Sequence, residues 1–291
     1  MSSFLKRIKA GEILVSDGAT GTYLQQRGLE AGGCPEFLNA ERPDLLRRMA
    51  ADYFDAGSDM VETNSFGGSR YMLKKYDLGQ RVTELNRLAA EHARASAPAG
   101  GIVLGSVGPT GEMLEPMGTA TEQQMLEVFV EQVQALAEGG ADAICIETMI
   151  DQNEATLAIR AVREQTDLPV IATMTFDKGP RGLFTMMGVT PERAVKELLD
   201  AGSHVVGSNC GNGIEVMVQI AREMREATDG LLVINSNAGI PELIKGKVVY
   251  TETPEFLASF WNDLIKIGVD IIGGCCGTTP LHIKALANSR G

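Results

Sequence analysis

The 291 residues carry a formal net charge of −12, with 44% hydrophobic and 22% charged residues. This composition excludes a disordered chain, and the acidic balance argues against nucleic acid as a partner, because it repels phosphate. No apolar run approaches the roughly 20 residues that cross a bilayer, and Met1–Lys9 is too polar for a signal peptide, so a cytoplasmic protein that works away from membranes is expected.

The chain alternates short β-like runs with amphipathic stretches. The first run, Ile13–Asp17, is followed by a long loop holding Cys34, to which no role is assigned. Pro43–Ala56 predicts a helix, with proline in its first turn and Leu46, Met49 and Tyr53 at helical spacing. Met60–Asn64 and Ile102–Val107 predict the second and third strands. Thr121 predicts the N-cap of a long helix ending near Gly139. The fourth and fifth runs are Ala143–Glu147 and Val170–Thr175. Thr190 before Pro191 caps a helix that closes at Gly202, and Val205–Cys210 and Leu231–Asn235 follow. Thr253 before Pro254 caps another, closing at Gly268, with Trp261 packed in its middle; Asp270–Gly274 is the eighth run.

Each run is apolar almost throughout, which suits strands buried on both faces. Eight strands, each followed by a helix, predict an α/β fold: a closed parallel (β/α)8 TIM barrel with outer helices, forming one domain over residues 1–291. A doubly wound open sheet is the alternative, but Asp17 to Thr22 has the wrong glycine spacing for a dinucleotide fingerprint.

In such barrels reactive groups sit where the strands end. Those ends carry Asp17, Glu62, Glu147, Asn209-Cys210, Asn235-Ser236-Asn237 and Gly273-Gly274-Cys275-Cys276-Gly277. Lys and Arg are nearly absent there, so a phosphorylated substrate is not expected. The five cysteines, an odd number with two adjacent, form no disulfide framework. Cys145, one layer below Glu147, reads as core filling. Cys210, Cys275 and Cys276 have three readings: small apolar residues in tight turns, a vicinal disulfide, or a three-thiolate metal site with the glycines relieving the opposed directions of adjacent side chains. Zinc suits that last site, and three sulfurs leave it one open position. Three thiolates make zinc a weak activator of water but a good binder of a fourth thiol, whose pKa it lowers. S-alkylation of a substrate thiol is the implied chemistry. Asp17 and Glu147 suit an ammonium group, and the backbone N–H groups of Gly18, Ala19 and Thr20 suit a carboxylate, so the expected substrate is a thiol-bearing amino acid. Asn237 either fills the open position, orients the substrate or is a plain loop amide.

With these motifs in hand, the chain resembles the homocysteine S-methyltransferase family, and within it the homocysteine-binding module of cobalamin-dependent methionine synthase. The resemblance rests on Asp17 to Thr22, Glu62 to Phe66, Gly108 to Glu112, Ile146 to Thr148, Asn209-Cys210, Asn237 to Gly239 and Gly273 to Pro280, in the family's order along nearly the whole chain. It implies zinc held by Cys210, Cys275 and Cys276, and homocysteine bound near Asp17 to Thr20 and Glu147, with Asn209 and Asn237 counted among its contacts. Methionine synthase is longer, with folate and cobalamin modules. This sequence ends just after the eighth unit and has no Asp-x-His-x-x-Gly motif; His92, His204 and His282 read as structural. A methylcorrinoid is therefore expected on a separate protein, with a small sulfonium or folate-derived donor as the other option. The alternative function is the methyltransferase component of a corrinoid-dependent demethylase system, passing a methyl group to a partner's cobalt.

Overall fold

A computed structural model describes residues 3–244 and 247–290. The strands, in chain order, are β1 (Leu14–Val15), β2 (Met60–Glu62), β3 (Ile102–Val107), β4 (Ala143–Met149), β5 (Val170–Met174), β6 (Asp177–Gly179), β7 (Gly182–Phe184), β8 (Val205–Asn209), β9 (Leu231–Ser236), β10 (Glu242–Ile244), β11 (Lys247–Val249) and β12 (Ile271–Gly274). Eight of them form one parallel sheet in the order β1-β12-β9-β8-β5-β4-β3-β2. Each is one of the eight predicted runs, and the sheet is the predicted (β/α)8 TIM barrel. The remaining four pair as antiparallel hairpins, β6–β7 and β10–β11, in the loops that follow β5 and β9.

The seam between β1 and β2 has no regular ladder. Asp59 closes it, its N–H donating to Val15 O (2.8 Å) and its carboxylate accepting from Val15 N (2.8 Å). The same carboxylate pairs with Arg7 and Arg290, tying both ends of the described chain to the seam.

Alternation along each strand builds two apolar layers. Leu14, Met60, Ile102, Leu104, Cys145, Ile171, Val205, Val233 and Ile271 pack together inside the barrel. Their neighbours Val15, Val61, Val103, Ile144, Ala172, Val206, Ile234 and Ile272 pack outward against the helices. Both faces are buried, which is why the strands read as continuous apolar runs.

Helices start where the caps predicted them. The side chains of Thr121, Thr190 and Thr253 accept the N–H groups of Gln124, Arg193 and Phe256. Two differences stand out. Pro254 to Ile267 is not one helix but two pieces, Pro254–Ser259 and Trp261–Ile267, broken at Phe260 (φ −90°, ψ 0°). Ser259 Oγ donates to Phe256 O there, the kind of side-chain bond that loosens a helix. Trp261 therefore opens a helix rather than sitting mid-helix, and it is buried as expected. The second difference is a helix not predicted, Ser3–Lys9, whose Phe4, Leu5 and Ile8 join the inner layer and plug the barrel's lower end.

Phe4 is fully buried. Phe4→Ala is expected to lower the unfolding free energy by about 3–5 kcal/mol in urea denaturation. A cost below about 1 kcal/mol would place this helix outside the core.

Candidate active site at the barrel mouth

The alternation that builds the inner layer also builds the site above it. Two residues beyond Met60, Leu104, Cys145, Ile171 and Val233 stand Glu62, Ser106, Glu147, Thr173 and Asn235. Four residues beyond Val205 and Ile271 stand Asn209 and Cys275. Over this polar ring opens a cavity of about 280 Å³. Its described lining includes Gly18 to Thr22, Glu62, Glu147, Cys210, Cys275 and Cys276 and no Lys or Arg.

Three carboxyl groups meet at its base. Asp17 is 2% exposed, and its Oδ2 accepts the N–H of Glu62 at 2.9 Å. Glu147 accepts from Ser106 Oγ (2.5 Å) and Asn209 Nδ2 (3.1 Å). Burial pushes all three up: Asp17 to about 7, with the Glu147 charge adding to the rise, and Glu62 well above the carboxylate range because Glu147 and Asp17 repel it as well.

The three thiols also meet. Cys210, Cys275 and Cys276 have Sγ atoms within 4.8 Å of one another, the one such cluster of possible metal ligands among the described residues. Cys210 Sγ lies 3.8 Å from Cys276 Sγ. The chain leaves β8 by a left-handed turn, Cys210 (φ 62°) followed by Gly211 (φ 74°). A left-handed conformation costs a non-glycine residue about 1–2 kcal/mol, and here it swings the sulfur toward Cys276. Only one of the three ionises readily. Hydrogen bonds from Cys275 and Cys276 hold the Cys210 thiol far below its usual range, and the same bonds to Cys210 push Cys275 and Cys276 up.

This donor set fits a zinc ion. Sulfurs at 2.3 Å from a tetrahedral ion stand about 3.8 Å apart, the Cys210–Cys276 separation. Asn237 adds an unsatisfied acceptor: its buried Oδ1 has no partner among the described residues.

Other sequence-predicted residues fall around the same mouth. Gly18, Ala19 and Thr20 line it, but the Ala19 N–H already donates to Thr278 Oγ1 (3.1 Å). Ala19 is an N-cap without a side-chain bond, so the N–H groups of Thr20, Gly21 and Thr22 open the next helix without intrahelical partners. Asn209 lines the cavity with its amide engaged: Oδ1 accepts from Thr148 N and Thr173 Oγ1, and Nδ2 faces Glu147, Thr148 and Cys275 Sγ. Cys145 lies in the inner layer. Cys34 contacts Glu36. His92, His204 and His282 stand away from the cavity lining.

Sequence reasoning placed Asn235 at a strand end without a role and missed Ser106 and Thr173; counting two residues up from each inward apolar position would have found all three. It also missed Thr148, held at φ 60° by Asn209, for which a β-branched threonine gives no signal.

Fold and site together define a barrel enzyme class with a thiol-lined, cation-seeking mouth. The family model for homocysteine S-methyltransferase matches residues 14–289, and the chain belongs to that family. It is 34% identical over 295 residues to methionine synthase of Mycobacterium tuberculosis (94% of this chain, 24% of that protein), and so spans about a quarter of that relative's length. It is 29% identical to betaine–homocysteine S-methyltransferase 1 of Mus musculus (97% of this chain, 73% of that protein). The metallated homocysteine methyltransferase MmuM of Escherichia coli shares the fold, with a TM-score of 0.79 at 24% identity over 96% of each chain.

The raised Asp17 carboxyl has a consequence for stability. Folded, it holds its proton up to about pH 7; unfolded, it loses it near 3.8. Between those values the folded state binds more protons, so this group's stabilising contribution falls as pH rises. In metal- and ligand-free protein, Asp17→Asn should gain on the order of a few kcal/mol relative to wild type between about pH 4 and about pH 8. A difference that stays constant with pH in urea titrations would contradict the buried-acid assignment.

Proposed function

We propose that the chain is a zinc-dependent homocysteine S-methyltransferase that makes methionine. The observation that carries this reading is the meeting of three sulfurs within 4.8 Å beside three buried carboxyl groups. Cys210, Cys275 and Cys276 would hold the ion. When bound, zinc supplies Lewis acidity that keeps a substrate thiol ionised at neutral pH.

The remaining work falls to the chain. Asp17 and Glu147 take the substrate's ammonium group, together with Glu62, which lines the cavity as Glu147 does. An arriving cation favours the ionised acids and releases the protons that burial otherwise keeps on them. The carboxylate rests against the backbone N–H groups of the Gly18 to Thr20 turn, where the next helix begins. Asn209 fixes Glu147 relative to Cys275, and Asn237 would complete the donor set at rest or orient the substrate. The substrate thiolate then attacks the donor's methyl carbon. The new S–C bond forms as the old bond to that carbon breaks, and its electron pair leaves with the donor.

The acid cluster favours an amino acid acceptor over methyl transfer in the opposite direction, to the cobalt of a corrinoid protein. Phe66 is the one aromatic residue in the described cavity lining, which gives a quaternary ammonium donor no cage. A methylcorrinoid on a separate protein, or a small sulfonium or folate-derived compound, remains the donor.

Purified protein should contain about one zinc per chain, lost in Cys210→Ala and Cys275→Ala, and should bind homocysteine only when loaded. A strong chelator should abolish methylation while circular dichroism keeps the folded signal, because the barrel core is built without the metal. Full activity in metal-free protein would refute the reading, and global unfolding on chelation would refute the independence of the core.

A further inference from the structure

Folded chains leave few buried polar atoms unpaired, and each one asks for an explanation. Here eight buried side-chain nitrogen and oxygen atoms have no partner among the described residues. One of the eight, Asn235 Oδ1, belongs to a residue that lines the cavity. Asn235 stands in β9, two residues beyond Val233 of the inner layer, and is 6% exposed.

Its place in the sheet is between the two acids assigned to the ammonium group. On one side it is in register with Asn209 of β8, whose amide is engaged by Glu147, Thr148 and Thr173. On the other side it is in register with Gly273 of β12. The missing side chain there gives Asn235 room: a Cβ on Gly273 would stand 2.7 Å from Asn235 Oδ1 and 3.1 Å from Asp17 O. The two ends of an amide are of like size, so a turn about its last bond exchanges them. That turn offers the oxygen to the cavity and leaves the N–H2 on the side of the Asp17 carbonyl.

A buried amide without a partner weakens the fold, and an apolar residue of similar shape would avoid that cost. We infer that Asn235 is a substrate-binding residue, its amide oxygen accepting one N–H of the substrate's ammonium group beside Asp17 and Glu147. An ammonium group carries three N–H donors; the two carboxylates take two of them, and Asn235 takes the third. A neutral acceptor suits the place, because three carboxyl groups already repel one another there and a fourth would add to the repulsion. The inference rests on the homocysteine reading above.

The test is calorimetric titration of zinc-loaded wild type, Asn235→Leu and Asn235→Ala with homocysteine and with 4-mercaptobutyrate, which is homocysteine without its ammonium group. Homocysteine should bind either variant roughly 10-fold more weakly than wild type, and 4-mercaptobutyrate should bind all three alike. The thermal midpoint of ligand-free Asn235→Leu should equal or exceed that of wild type, since no internal bond is lost; Asn235→Ala, which only removes atoms, serves where leucine does not fit. If wild type binds homocysteine and both variants match it, the role of Asn235 is overturned and the homocysteine reading stands. An equal loss for both thiols, or a lowered midpoint in both variants, would also overturn it, because the amide would then serve the cavity's shape or the fold. If wild type binds no homocysteine, both readings fall.

Discussion

The mouth of this barrel has no cation of its own. Three sulfurs and three carboxyl groups converge on one cavity whose described lining holds neither Lys nor Arg. Such a set cannot be fully ionised in a partly buried site without a positive counterpart. The chain copes by keeping protons: burial raises Asp17, Glu62 and Glu147, and Cys275 and Cys276 are pushed up while Cys210 is held down. The two halves call for different cations. A dication suits the sulfurs, which are soft donors at tetrahedral spacing, and an ammonium group suits the hard carboxylate oxygens. One small molecule bearing both a thiol and an ammonium group would join the two halves, and this is the physical case for homocysteine.

The fold holds this unfavourable assembly by rigidity. The floor beneath it is a closed apolar layer, plugged from below by Phe4, Leu5 and Ile8. The walls are strands whose register fixes each polar residue relative to its neighbours. Strain is concentrated at the site itself, with Cys210 and Thr148 both in the left-handed region. Asn209 spans the gap between them, touching Glu147, Thr148 and Cys275.

Much of this was legible in the sequence because the barrel's logic is periodic. Apolar runs marked the strands, Thr-Pro pairs marked helix starts, and the ends of the runs delivered Asp17, Glu147 and the three cysteines to one mouth. What stayed hidden depends on contacts between distant segments. Nothing local in Ser3–Lys9 says that it will plug a barrel. The β6–β7 and β10–β11 hairpins are excursions whose pairing is internal to loops. The break at Phe260 lies beside a serine hydroxyl bonded to the backbone, a feature with no sequence period. The glycines flanking Cys275-Cys276 were expected to let the backbone bend there, and Gly277 does turn left-handed; Cys210 takes such a turn as well, which no residue-type preference announces.

The central claim is that three protein sulfurs surround one ion and leave a corner for the substrate's own sulfur. X-ray absorption at the zinc edge of loaded protein, recorded with and without homocysteine, addresses it directly. The account predicts three sulfur scatterers and one lighter atom at rest, becoming four sulfurs at about 2.3 Å when homocysteine is added. A first shell that stays unchanged on addition, or one with fewer than three sulfurs at rest, would contradict it.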